Sequence, residues 1–232
     1  MSHTQIISTE QQNHARGAVP PDLPVVSSCL EHEAGRESLE QYISSIFSAA
    51  YDAKILEYMP LLFCLKHNES YTAALGLRSA ARGKLFCENY LDSSAQQQVL
   101  SLYGVPIQRA AIMELGNLVA SAPGQSSLLY LLSAAALHQA DVKYLLFAAN
   151  KTVRASIKRS GFTPKTIQVA EKERLGLQGE AWGSYYEGEP LVMLADIALT
   201  MEQAKEQALM RQILKLYAQT IHTMAQSIRE YR

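Results

Sequence analysis

The 232-residue chain has little of what most readily reveals a chemistry. Its three cysteines, Cys29, Cys64 and Cys87, are odd in number and none stands in CxxC spacing. That argues against a disulfide framework and against a zinc site. The six histidines are scattered, with no HExxH and no pair four residues apart, so no metal is expected. G-x-S-x-G and Walker sequences are also missing, which removes the commonest serine-hydrolase and P-loop readings. Neither sign of charge dominates: 21 basic residues face 22 acidic ones, and nothing makes a case for nucleic acid as partner. The most apolar run, Leu128 to Leu137, is too short for the ~20 residues that span a bilayer. It reads as a core helix, and no stable membrane insertion is expected. The first residues lack a charged-then-apolar leader pattern. A cytoplasmic protein with reduced thiols is the expectation.

What is present is an ordinary globular composition, 48% hydrophobic and 19% charged. Residues 1–35 are polar and Pro-containing without apolar periodicity, and are expected to form a loose leader, with order beginning near Ser38. Ser38 to Gln41 offers a capping box before an amphipathic stripe of Tyr42, Ile43, Ile46, Phe47 and Ala50. Two apolar runs joined by HNES, residues 67–70, suit an antiparallel hairpin. A mixed segment, a strand AAIMELGNLVA, a helix, the strand VKYLLFAAN, a basic helix ending at Gly161 and further strands follow. The expected organisation is a domain over 36–199 and a helix over 200–232. In that helix Met210, Leu214, Tyr217, Ile221, Met224 and Ile228 alternate in steps of four and three. The seam either docks on its own domain or joins two copies as a homodimer. Thr200 to Gln203 is a second candidate capping box.

The stretch MELGNLVASAPGQSS concentrates the chemistry. Glu114 interrupts an apolar strand, so it must face a cavity, find partners or accept a raised pKa, and each can suit a general base. Its bland alternative is a strand-end carboxylate in solvent or paired with Arg78. Gly116 and Asn117 break the strand in the manner of a bulge. Gly124, Gln125, Ser126 and Ser127 then open a helix, whose N-terminus is suited to phosphate oxygens. Lys151, Arg154, Lys158 and Arg159 form a basic helix, either a solvated face or a contact for an acidic carrier or a nucleotide phosphate.

This order of elements resembles the N-acetyltransferase (GNAT) superfamily. Glu114 on the central strand, the turn into an apolar helix, and Asn150 ahead of Gly161-Phe162 carry the likeness. LFCENYLD, MELGNLVAS and WGSYYEGEPLVMLADI resemble the thermostable hemolysin family over most of residues 38–198. Arg78 after a strand, LF…YLD and E-L-x-x-L are similar to acyl-homoserine lactone synthases, which carry arginine where this chain has Asn117. The resemblance implies an α/β fold, a GNAT-like mixed central sheet flanked by helices, followed here by the heptad-patterned C-terminal helix. It further implies acyl transfer from acyl-CoA or acyl-ACP, with an acyl carrier protein as partner in the latter case, to a small, amino-acid-derived amine. The donor's phosphate would lie on Gly124–Ser127 and its arm along Leu118, Val119 and Ala120, with Asn150 nearby. Glu114 would take the amine proton. The tyrosine that many GNAT enzymes use on the leaving thiolate is Ile157 here, which leaves Tyr185 or Tyr186 as the acid. Arg78, Asn117 and Trp182 would contact substrate. Two other readings stay open, a membrane-active hemolysin and a GNAT-fold protein that binds without turnover.

Overall fold

The computed structural model describes residues 23–122 and 124–232. Residues 1–22 of the expected leader, and Pro123 in the turn before the apolar helix, lie outside them. Seven strands form one sheet in the order β1-β2-β3-β4-β5-β7-β6. They are β1 Val25–Leu30, β2 Leu61–His67, β3 Ser70–Ser79, β4 Ile112–Ala120, β5 Tyr144–Ala149, β6 Lys165–Val169 and β7 Leu191–Asp196. β4 and β5 pair in parallel, and every other neighbouring pair is antiparallel. Both sheet faces are covered, which is why LLFCL, AALGL and YLLFAA read as continuous apolar runs rather than alternating ones.

The HNES turn closes the β2–β3 hairpin as expected. Asn68 and Glu69 both take positive φ, 46° and 62°, the two-residue geometry that matches strand twist. Order begins earlier than Ser38, however, because Val25–Leu30 pairs with the outer edge of β2. An edge strand needs only one apolar face; Cys29 is buried while Ser27 and Ser28 are exposed, so the pattern is too thin to stand out. The helix α1, Arg36–Tyr51, likewise starts before Ser38, after a left-handed Gly35. Ser38 Oγ donates back to the Gly35 carbonyl instead of forming the expected capping box. Arg36 is buried and donates to the carbonyls of Cys29, Met59 and Pro60, which ties α1 to the strand ends.

After α2, Ala95–Tyr103, the chain enters β4 and then α3, Gln125–Gln139. Buried residues lie around most of α3, the pattern of a helix enclosed by protein. It crosses from β4 to β5, and α4, Lys151–Arg159, follows β5.

The expected single C-terminal helix is three: α5 Ile197–Glu206, α6 Ala208–Leu216 and α7 Ala218–Tyr231. Asp196 caps α5 by accepting the Leu199 N–H at 3.1 Å, so Thr200 lies inside the helix rather than at a capping box. Gln207 is extended and donates to the Ser160 carbonyl, and Tyr217 leaves helical geometry to donate its hydroxyl to the Pro24 carbonyl. Ile221, Met224, Ala225, Ile228 and Tyr231 of α7 are buried in the same cluster as α3. The seam is thus used within the chain, which removes its heptad pattern as an argument for a homodimer.

Candidate functional site

The parallel ladder between β4 and β5 runs from Ile112↔Tyr144 to Leu115↔Phe147 and stops, although β4 continues to Ala120 and β5 to Ala149. The strands part because β4 is bulged against β3. Ala74 pairs with Val119 and Gly76 with Gly116, leaving two residues of β4 opposite Leu75 alone. Asn117 sits in this bulge with φ 50°, and its Oδ1 accepts the Met59 N–H at 2.7 Å. Asn is among the few residues that tolerate this backbone, and its short amide locks it. The Met59 side chain then lies over β3 and β4. A Cβ on Gly116 would stand 2.4 Å from its Cε, so any larger residue here would displace the end of the Met59 side chain.

A cavity of about 590 Å³ occupies the opening. Leu118, Val119 and Ala120 form one wall, Ala148, Asn150 and Val153 another, and Ser126 and Tyr130 of α3 close its base. Phe47 and Tyr51 of α1 and Trp182 and Tyr185 of the 3-10 segment Lys172–Gly188 complete it. Trp182 packs edge-on to Phe47 with ring centres 6.0 Å apart, and Tyr185 edge-on to Tyr51 at 5.4 Å. The segment approaches α1 closely: a Cβ on Gly183 would lie 2.0 Å from the Tyr51 carbonyl oxygen.

Glu114 lines this cavity and is fully buried. Its carboxylate accepts the N–H groups of Phe86 at 2.8 Å and Cys87 at 2.5 Å. Burial pushes its pKa up; Cys87, the two N–H groups and the Arg78 cation pull it back, and burial prevails. Arg78 is its cross-strand neighbour but forms its ion pair with Glu57, so the expected alternative of a Glu114–Arg78 pair does not hold. Burial and the adjacent Glu114 also push the Cys87 thiol well up, which keeps it neutral.

Several expected residues are placed otherwise. Asn150 borders the cavity but its side chain is committed: Oδ1 caps α4 by accepting the Val153 N–H at 3.0 Å, and Nδ2 donates to Tyr51 Oη at 2.8 Å. Tyr186 does not line the cavity and instead shares a 2.6 Å hydrogen bond with Tyr90. Burial pushes Tyr186 up to about 12. Tyr185 does line the cavity, and burial pushes it up as well. At the start of α3, Ser126 reaches the cavity while Gly124, Gln125 and Ser127 do not. Gln125 accepts from Thr72, and Ser127 shares a 3.4 Å contact with Ser156.

Sequence reasoning missed Phe47, Tyr51, Phe86 and Tyr130. Tyr130 had a signal: it follows Ser126 by four residues, which puts both on one helix face. Like Tyr185, it makes no side-chain hydrogen bond among the described residues, and burial pushes it up. No group of three His, Cys, Asp or Glu side chains among the described residues is placed to hold a metal. No helix among them is long and apolar enough to cross a membrane.

The model of the family described as thermostable hemolysin matches residues 29–201. The chain belongs to that family. No curated protein matches this thermostable hemolysin family member. Its fold is GNAT-like, and solved structures similar to it share that fold at low identity. FeeM, an N-acyl amino acid synthase from uncultured soil microbes, is 11% identical with a TM-score of 0.52, over 78% of this chain and 96% of FeeM. The acyl-homoserine lactone synthase LasI is 10% identical with a TM-score of 0.51, over 76% of this chain and 91% of LasI. TofI in an apo form is 14% identical with a TM-score of 0.50, over 78% and 95%.

Proposed function

We propose that this thermostable hemolysin family member transfers an acyl group from a thioester to the amine of a small molecule. The observation that carries the reading is the Glu114 carboxylate, fully buried on the wall of the cavity where β4 and β5 part. A buried carboxylate with a raised pKa is suited to accept a proton, and a cavity between splayed strands offers free backbone to an extended ligand.

The donor would enter past Ser126, with its phosphate at the start of α3 and its arm along Leu118–Ala120. Lys151, Lys158 and Arg159 stand exposed on α4 and favour a donor with negative charge, either coenzyme A or an acidic acyl carrier protein. The acceptor's amine would face Glu114, and Arg78 would exchange its exposed partner Glu57 for a carboxylate on an amino-acid-derived acceptor. The amine nitrogen attacks the thioester carbonyl; the N–C bond forms, the C–S bond breaks, and Glu114 takes the amine proton. The leaving thiolate takes a proton from a cavity tyrosine, Tyr185 or Tyr130. Much of the rate would come from holding the two reactants together.

With a long acyl chain the product would be an amphiphile, and any lysis of cells would follow from it rather than from the fold. Thiol release from acyl-CoA and acyl-carrier-protein panels, measured with and without amines, tests the reading. Dye leakage from liposomes free of thioester tests the rival reading of a directly membrane-active protein. Strong leakage with no thiol release across the panels would refute acyl transfer.

A further inference from the structure

The two amides that hold Glu114 belong to a short turn, and that turn is itself held. Phe86–Asn89 is one 3-10 turn, too short to keep its shape by its own hydrogen bonds. Glu88, only 8% exposed, fixes it from within. One of its oxygens accepts the Leu85 N–H at 2.8 Å and the other the Ala95 N–H at 2.8 Å, at the start of α2. Arg109 grips both oxygens, with Nη1 at 2.8 Å and Nη2 at 3.0 Å. It also donates to the carbonyls of Ala80 and Gly83 at 2.6 and 2.5 Å and to Gln96 Oε1 at 2.9 Å. Neither Glu88 nor Arg109 lines the cavity. Glu88 nevertheless adjoins Cys87 in the chain, so a displacement of Glu88 passes directly to the amides on Glu114. These are the residues of the LFCENYLD segment, whose role the acyl-transfer chemistry alone leaves unexplained.

We propose that Glu88 and Arg109 are positioning residues for Glu114, their ion pair clamping the Phe86 and Cys87 amides against its carboxylate. The consequence for turnover rests on the acyl-transfer reading; the effect on Glu114 itself does not. A carboxylate out of water is disfavoured in its charged form, and close N–H donors offset that. The titratable groups that share the cavity with Glu114 are Arg78 from β3, Glu57 paired with it and the neighbouring Tyr58, Cys87 and Tyr90 from the turn region, Tyr130 from α3, Tyr51 from α1 and Tyr185 from the 3-10 segment. None of their side chains is hydrogen-bonded to the side chain of Glu88 or Arg109, so loosening the clamp acts on Glu114 through the amides.

Charge and position make opposite demands in Glu88→Gln. Removing the negative charge leaves the Arg109 cation behind, which by itself would lower the proton affinity of Glu114; loosened amides would raise it. The direct test is carbon NMR titration of the full chain labelled on glutamate, with the Glu114 signal assigned by its loss in Glu114→Gln. The Glu114 midpoint should move upward in Glu88→Gln and in Arg109→Lys, which keeps the charge but not the forked contacts. Turnover near neutral pH should fall ~10–100-fold and recover as pH rises, with donor KM unchanged. A midpoint that stays or falls in either folded variant, with only the melting temperature reduced, overturns the clamp. Should Glu88→Gln not fold, Arg109→Lys alone decides. Should the wild type release no thiol from any donor, the titration still decides the clamp, and the acyl-transfer reading alone fails.

Discussion

Arg78 and Glu114 stand directly opposite each other on β3 and β4, yet the guanidinium is committed to Glu57 and not to the buried carboxylate. The Glu57 side chain is 62% exposed and that of Arg78 17%, so the cation is fixed in the cavity wall and its partner is the exchangeable member. A carboxylate-bearing acceptor could therefore displace Glu57 without leaving Arg78 unpaired. Arg78→Met should raise the KM for such an acceptor ~10–100-fold, the worth of a charge-assisted hydrogen bond, and leave the donor KM unchanged. Initial rates with each substrate varied in turn check this; an unaltered acceptor KM would remove Arg78 from the acceptor site.

The bulge at Asn117 makes a graded expectation. Asn117→Gly keeps the positive φ but loses the bond to the Met59 N–H, whereas Asn117→Ala loses the bond and strains the backbone. Alanine should cost ~2–4 kcal/mol and glycine less, from the lost bond with and without the left-handed penalty. Both should weaken donor binding if the bulge holds the strands apart. Urea denaturation and donor titration on the two variants measure these separately, and equal stability of the two would contradict the strain argument.

Ile221 and Met224 are buried against the parent domain, so Ile221→Asp or Met224→Asp should destabilise the whole fold by ~3–5 kcal/mol. Denaturation followed with size-exclusion chromatography reads the outcome. A folded monomer with a lost dimer would instead show the seam working between copies.

Glu88 sets an acid limit to stability. Burial would raise its pKa, but the Arg109 guanidinium and the amides of Ala95 and Leu85 hold it at about 2, against an ordinary 4.5. Because the folded value lies below the unfolded one, the contribution is present above about pH 4.5 and lost as pH falls toward 2. It amounts to about 3 kcal/mol. Glu88→Gln should flatten the stability profile across that window, as melting temperatures from pH 2 to pH 6 would show; an equally steep loss in the variant would place the acid sensitivity elsewhere.

Much of this site could be read from the chain because polar residues in an apolar strand are conspicuous. Glu114, Gly116 and Asn117 interrupt β4 where the structure shows a buried carboxylate, a close approach and a bulge. What escaped was convergence: Phe47 and Tyr51 of α1, Phe86 of the 3-10 turn and Tyr130 of α3 come from three elements, and each passes for a core aromatic in its own helix or turn. Asn150 borders the cavity as expected of a site residue, and its cap on α4 was equally legible, since an asparagine before a helix is as suited to capping as to a ligand. The C-terminal breaks at Gln207 and Tyr217 carry no Pro or Gly to announce them, and tertiary hydrogen bonds made them. β1 was hidden by its one-sided burial.

Glu114→Gln decides most directly whether this cavity performs acyl transfer. The folded protein must present a charged Glu114 to accept a proton, so turnover should be lost as pH falls through its raised pKa. Glutamine keeps the size but sets an amide against one of the two N–H donors, so some loss of melting temperature accompanies the change. Amine-dependent thiol release should fall ~10²–10⁴-fold while donor binding persists, and Glu114→Asp should retain part of the activity. Thiol release by folded Glu114→Gln at the wild-type rate would contradict a general base at Glu114.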